Sequence, residues 1–270
     1  MTTTRTLAVP GARLRYEVRG TGPLLMLMGA PMAARFFEPL AGALAGEYTV
    51  VTHDPRGISD SVLDDPEQDS TPELRADDVA AILDALGAEA ADVLGSSGGA
   101  VTGLALVARH PARVRTLVAH EPPSVELLPD AAEQRAAIDD IIETFHREGQ
   151  EAAFAKFMAT AGFDQGDEGS PAGPPGEPSE QDLADNVRFF AHEMRGTTRY
   201  VPDVAALTAG PARVVVGIGA DSRGLLTYRT SVTLADLLGA APVEFPGDHG
   251  GFLGYPEEFG EVLKKVLAGA

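Results

Sequence analysis

The stretch Ala91-Asp92-Val93-Leu94-Gly95-Ser96-Ser97-Gly98-Gly99-Ala100 decides how this chain is read. A short run of strand character ends in a glycine-rich turn, and Val101 to Arg109 continue as a helical pattern. Gly95-Ser96-Ser97-Gly98-Gly99 fits the spacing G-x-S-x-G with Ser97 at its centre. A nucleophile on a sharp strand-to-helix turn needs strained backbone angles, and neighbours without side chains let such a turn close. The helix N-terminus behind it adds partial positive charge where an oxyanion would develop. A glycine turn carrying an idle serine fits the same letters, but the junction between strand and helix favours the nucleophile.

Working outward, short β-type runs alternate with longer helical patterns. Leu7 to Val9 and Arg13 to Arg19 alternate apolar and polar residues, as an antiparallel edge pair would. Leu24 to Met28 is apolar throughout, as in a strand covered on both faces. Tyr48 to Thr52, Ala91 to Leu94, Val114 to Ala119, Arg213 to Ile218 and Pro242 to Phe245 continue the series. Helical patterns fill 36–46, 72–87, 98–109, 223–239 and 257–268. This is the pattern of an α/β fold with an eight-stranded, mostly parallel sheet and helices on both faces.

Between the sixth and seventh of these strands the rhythm breaks. Helical patterns run through 130–147, 150–161 and 180–195, and 162–179 is rich in Gly, Pro and acidic residues. We read 1–122 and 205–270 as the core and 123–204 as a helical cap with a flexible 162–179 loop, placed at the sheet edge where ligands bind in open α/β folds. The apolar cap positions Leu127, Leu128, Ile138, Ile141, Ile142, Phe145, Phe154, Phe157, Met158, Phe189, Phe190 and Met194 should mostly pack the cap onto the core. A minority of them should line a pocket.

Composition narrows the function. The 270 residues carry a formal net charge of −19 with no basic cluster, which disfavours binding to nucleic acid or to an anionic membrane surface. No apolar run is long enough to span a bilayer, and the first residues lack the apolar core of a signal peptide, so a cytoplasmic protein is expected. The absence of cysteine removes thiolate nucleophiles and thiolate metal sites. No phosphate-binding loop or zinc-helix spacing occurs, and we expect neither metal nor organic cofactor.

A serine nucleophile needs a base. Of His53, His110, His120, His146, His192 and His249, the last stands on Pro246-Gly247-Asp248-His249-Gly250-Gly251-Phe252, between the final strand and the final helix. That location puts it at the same sheet edge as Ser97, in the order serine first and histidine last. His249 is therefore the expected general base. His110, before Pro111, reads as a helix C-terminal cap; His53 and His120 end strands, and His146 and His192 belong to the cap.

With these residues the chain resembles the α/β-hydrolase superfamily, in its serine-nucleophile branch with a helical cap. Met28-Gly29-Ala30-Pro31 is similar to the family's oxyanion loop, with Met where His is common. Asp54-Pro55-Arg56-Gly57-Ile58-Ser59-Asp60-Ser61 is similar to its D-x-R-G-x-G-x-S turn, with Ser59 replacing the second glycine. The resemblance implies an oxyanion hole from the N–H groups of Ala30 and Gly98, with Asp54 and Arg56 as structural loop residues. It leaves two acids in competition. In the commonest family pattern the acid follows the seventh strand, where Asp221 stands one residue early and Ser222 fills the slot. Other members carry it after the sixth strand, where this chain has Glu121.

A serine at the elbow argues against dehalogenase and epoxide hydrolase chemistry, which needs a carboxylate nucleophile. The expected reaction is hydrolysis of an ester, lactone or thioester of an apolar small molecule, by a monomer or homodimer. A cofactor-free oxidative enzyme or perhydrolase, a non-hydrolytic cyclase or lyase, and a silent binding protein are the alternatives on the same scaffold.

Overall fold

A computed structural model describes residues 2–163 and 178–269 of the chain. Among these residues nine strands form one sheet: β1 (Thr2–Val9), β2 (Ala12–Arg19), β3 (Leu24–Met28), β4 (Thr49–His53), β5 (Val62–Leu63), β6 (Ala91–Ser96), β7 (Val114–His120), β8 (Arg213–Gly219) and β9 (Val243–Phe245). Their order is β1-β2-β4-β3-β6-β7-β8-β9, with β5 on the side of β2. β1, β2 and β4 pair antiparallel, Leu7 facing Leu14 and Val18 facing Val51. From β4 through β9 every pairing is parallel.

The sheet exceeds the eight strands expected by β5. Two residues are too few to show alternation; Ala12–Leu63 pairing and the bond from Asp64 N–H to Gly11 C=O create the strand. By this count the helical insertion follows the seventh strand.

Strand periodicity divides the core into two layers. Leu25, Leu27, Val50, Leu94 and Val118 face α1 (Glu38–Leu44) and a C-terminal helix, through Leu40, Leu44, Phe259 and Leu263. Met26, Met28, Val51, Val93 and Leu117 face α2 (Pro72–Ala85) and α3 (Gly98–Arg109), through Val79, Ile82 and Leu104. All these side chains are shut off from solvent, and both faces of the central strands are covered, which is why those strands read as unbroken apolar runs.

The insertion contains α4 (Ala131–Glu148), α5 (Gln150–Ala161), α6 (Glu180–Arg188) and α7 (Met194–Thr198), and α8 (Val204–Ala209) leads back to β8. Ile138, Ile141 and Ile142 form the buried stripe of α4 and pack on Phe190 and Met194. The helix expected over 180–195 is interrupted by a π turn at Phe189–Glu193, closed by the bond from Met194 N–H to Phe189 C=O. This extra residue per turn lies outside what a 3.6 periodicity can reveal. Of the expected 162–179 loop, residues 164–177 lie outside the described residues. After β8 come α9 (Leu226–Leu237), α10 (Gly251–Gly254) and α11 (Pro256–Leu267). No described helix is long and apolar enough to cross a membrane.

Candidate active site

The parallel strands β3, β6, β7, β8 and β9 end at one edge, and each candidate residue follows one of them: Ala30, Ser97, Glu121, Asp221 and His249 in turn.

Ser97 sits on the turn between β6 and α3 with φ 57° and ψ −126°, a conformation L-residues rarely adopt. Its N–H donates to the His120 carbonyl at 2.9 Å and its carbonyl accepts from Ala100 N–H at 2.9 Å. Close approach explains the surrounding glycines. A Cβ on Gly95 would lie 2.4 Å from Gly99 O, and one on Gly99 would lie 2.2 Å from Met28 O. Gly98 presses on the oxyanion-loop candidate in the same way, since its Cβ would meet Ala30 O at 2.4 Å. Gly98 is also the first residue of α3, so its N–H has no acceptor within the helix.

Glu121, just past β7, is wholly buried and also has positive φ, 51°. Its carboxylate is held on three sides. Oε1 accepts from Gly219 N–H at 2.8 Å, and Oε2 accepts from the Thr227 hydroxyl at 2.8 Å. Oε2 also lies 2.7 Å from His249 Nδ1. Burial alone would raise its pKa; the hydrogen bond and charge of His249, with smaller help from His120 and the Ser222 hydroxyl, outweigh that and hold the carboxyl down at about 2. His249 itself is mostly covered, its ring 5.5 Å from that of Phe163 and 6.4 Å from that of His120.

The structure does not bring Asp221 to the histidine. Its amide donates to Gly247 O at 3.0 Å, whereas its side chain is exposed to solvent. A Cβ on Gly219 would meet the Asp248 backbone at 2.7 Å, so β8 and the histidine loop touch through their backbones there. Of the two competing acids, only Glu121 contacts His249.

Ser97, Gly98, Ala30, Thr227 and His249 border one cavity of about 210 Å³. Its other walls are mostly apolar and come largely from the cap, with Ile138, Ile141, Phe154, Phe157, Phe189 and Met194 beside the polar Thr160, Asn186, Thr197 and Thr198. Half of the apolar cap positions named from sequence thus line the cavity, more than expected, Phe189 and Met194 at the two ends of the π turn among them. Among the described residues no Asp, Glu, Lys or Arg lines it. Among the described residues no cluster of three His, Asp or Glu side chains is placed to hold a metal ion.

The turn after β4 is structural. Asp54 accepts from Ala34 N–H at 2.8 Å, tying that turn to the chain beyond the oxyanion-loop candidate, and Arg56 makes a buried two-point pair with Asp78 at 2.7 and 2.6 Å. Ser59 adopts φ 53°, a left-handed conformation that favours glycine, its N–H held by Asp185 of the cap at 2.8 Å. His110 caps α3 and reaches Asp77 at 2.7 Å, and His192 of the cap reaches Asp69 at 3.0 Å. Two residues at the site were not legible beforehand. Thr227 carries no motif, and His120 gave no sign that its ring packs behind that of His249.

The comparisons agree with this architecture. A profile of the alpha/beta hydrolase fold matches residues 22–165. The chain is 35% identical over 268 residues to YraK of Bacillus subtilis (strain 168), an uncharacterized hydrolase, covering 97% of this chain and 95% of that one. In three dimensions it is similar to a thermophilic esterase from Thermogutta terrifontis, with TM-score 0.75, 20% identity and coverage of 100% and 98%. It is also similar to the enol-lactonase from Burkholderia xenovorans LB400, with TM-score 0.66, 19% identity and coverage of 98% and 100%. The full-length relationship to YraK and the match of the family profile establish that this chain belongs to the alpha/beta hydrolase family.

Proposed function

We propose that the protein is a serine hydrolase acting on a carboxylic ester, lactone or thioester of an uncharged, apolar small molecule. The observation that carries this reading is the 2.7 Å contact between Glu121 and His249 Nδ1, with His249 and Ser97 bordering the same apolar cavity.

In this reading Glu121 fixes the tautomer with the proton on Nδ1, leaving the Nε2 lone pair as the base. His249 takes the Ser97 hydroxyl proton as Oγ attacks the carbonyl carbon, and the N–H groups of Ala30 and Gly98 receive the oxyanion. Collapse expels the alcohol or thiol, which leaves with the proton from His249. Water then attacks the acyl-enzyme, giving its proton to His249, and the acid is released as Ser97 recovers a proton. Pro31, lacking an N–H, takes no part in the hole. The lining formed by the described residues is uncharged, which supports a neutral substrate, because a charged group would lose hydration against it without gaining a partner.

Treatment with a small fluorophosphonate tests the reading. Intact mass should show one adduct on the wild type and none on Ser97→Ala. An unlabelled wild type that also fails to turn over p-nitrophenyl esters would overturn it.

A further inference from the structure

We propose that Thr227 is a positioning residue for the His249–Glu121 pair, its hydroxyl setting how firmly the carboxylate holds the protonated imidazole. This rests on the hydrolase reading above.

The geometry is specific. Thr227 Oγ1 lies 2.8 Å from Glu121 Oε2, the same oxygen that contacts His249 Nδ1, and 3.4 Å from Nδ1 itself. A hydroxyl has one proton to give. If it went to Nδ1, the ring proton would sit on Nε2 and the base facing Ser97 would be lost. With Nδ1 protonated, the Thr227 proton goes to the carboxylate. Oε2 then shares its charge between two donors, and Oε1 is occupied by Gly219 N–H.

The threonine is not free to turn away. It is buried in the first turn of α9, and its carbonyl accepts from the Ser231 hydroxyl at 2.7 Å. The Thr230 hydroxyl donates its one proton to Pro122 O at 2.6 Å, tying α9 to the loop that carries Glu121. Thr227 further borders the substrate cavity, so the pair and the binding surface meet at this residue.

Removing the hydroxyl leaves Glu121 a more concentrated negative charge, which holds the imidazolium more tightly. His249 should then keep its proton to higher pH. The titratable groups facing it are Glu121 at the end of β7, His120 beneath its ring, and Asp248 beside it on its own loop. Phe163 covers it from the cap, and α9 presents Thr227. His120 is neutral above about pH 4, because burial pushes its pKa down, so it contributes no change of charge near neutrality. All these groups are shared by wild type and variants, and a difference between them isolates the hydroxyl.

The test is a titration of the imidazole resonances by NMR on protein with ¹⁵N-labelled histidine, for wild type, Thr227→Ser and Thr227→Val. It is paired with kcat/KM against pH for p-nitrophenyl butyrate. The valine variant should move the His249 midpoint and the acid limb of activity upward by about one pH unit, a tenfold change in proton affinity. The serine variant should superimpose on the wild type. Should the valine variant fail to fold, Thr227→Ala removes the same hydroxyl with less crowding. A midpoint unmoved in both Val and Ala variants overturns the proposal, as does a serine variant that shifts as far as valine. The NMR readout needs no turnover. A shifted midpoint in a protein that neither labels nor hydrolyses esters would sink the hydrolase reading alone; labelling and turnover with no shift would sink only the role of Thr227.

Discussion

At the scale of single residues, Glu121 combines two costly features, a wholly buried charge and a left-handed backbone conformation. Three hydrogen-bonding partners offset the first, and the bond from its own N–H to Gly217 O at 3.0 Å helps hold the second. Asp221 has neither the cost nor the compensation. Glu121→Gln should therefore lower kcat by roughly 10³- to 10⁴-fold with little change in KM, because the imidazolium loses its anionic partner. Asp221→Asn should leave both constants unchanged. Steady-state kinetics on one p-nitrophenyl ester checks the pair, and the reverse ranking would reassign the acid. From the letters alone the two carboxylates were equivalent, since each follows a strand at the same edge. Backbone direction separates them: positive φ at Glu121 turns its side chain inward beneath His249, while the β8 turn sends Asp221 into water.

At the scale of elements, the strand-turn-helix unit around Ser97 is set by close packing of backbone on backbone. Gly99 lies so near β3 that an added methyl would fall 2.2 Å from Met28 O. No flexible side chain is there to yield, so Gly99→Ala must push α3 off β3. It should destabilise the fold by about 3 kcal/mol or more, at the upper end of overpacking costs, and abolish fluorophosphonate labelling. Gly42 in α1 is the control, with nothing within 4 Å of its missing Cβ. Gly42→Ala should be neutral or stabilise by up to about 1 kcal/mol. Urea unfolding of the two variants distinguishes a glycine required by approach from one that is incidental. The G-x-S-x-G spacing was readable because such contacts recur wherever this turn is built. The π turn at Phe189–Glu193 was not, because its register depends on what the cap packs against.

At the scale of the whole molecule, cap and core are joined through buried charge. Arg75 of α2, wholly buried, donates to Thr102 of α3 at 3.0 Å and to Thr197 of α7 at 2.8 Å; Thr102 in turn donates to Gly98 O at 3.0 Å. One guanidinium thus links the helix behind the serine to a wall of the cavity. Glu193 of the π turn stands 3.7 Å from Arg75 and 3.9 Å from Arg188, and burial pushes its carboxyl up against their pull. Arg188 also donates to Pro66 O at 2.7 Å in the loop after β5, and Arg35 pairs with Asp182 at 2.5 Å. Arg35–Asp182 is partly exposed and adds little, whereas breaking one of the buried contacts of Arg75, Glu193 or Arg188 strands its partner in a dry interior.

Global stability also carries a proton linkage. Burial lowers the pKa of His53 and of His120 to about 4, below the ordinary 6.5. The unfolded chain therefore binds protons between pH 6.5 and 4 that the folded one refuses, and each histidine makes stability fall as pH falls through that window. His120→Asn removes one of these protons. Its plot of unfolding free energy against pH, from urea denaturation, should be flatter than wild type between pH 6.5 and 4, by up to about 1.4 kcal/mol per pH unit. Equal slopes would mean that His120 binds its proton in the fold as readily as in the unfolded chain.

The sequence by itself determined the alternation of strands and helices, the glycine-rich elbow at Ser97, the closing histidine loop and the helical insertion. Each of these rests on local requirements: periodicity of burial, turn geometry and chain order. Only the tertiary structure decided which carboxylate meets His249, that Thr227 shares it, that Val62–Leu63 pairs with β2, and that Arg75 ties the cavity wall to the elbow helix. Those outcomes depend on groups brought together from far apart in the chain, Leu63 with Ala12 and Glu121 with Gly219, Thr227 and His249, and no local pattern encodes such a meeting.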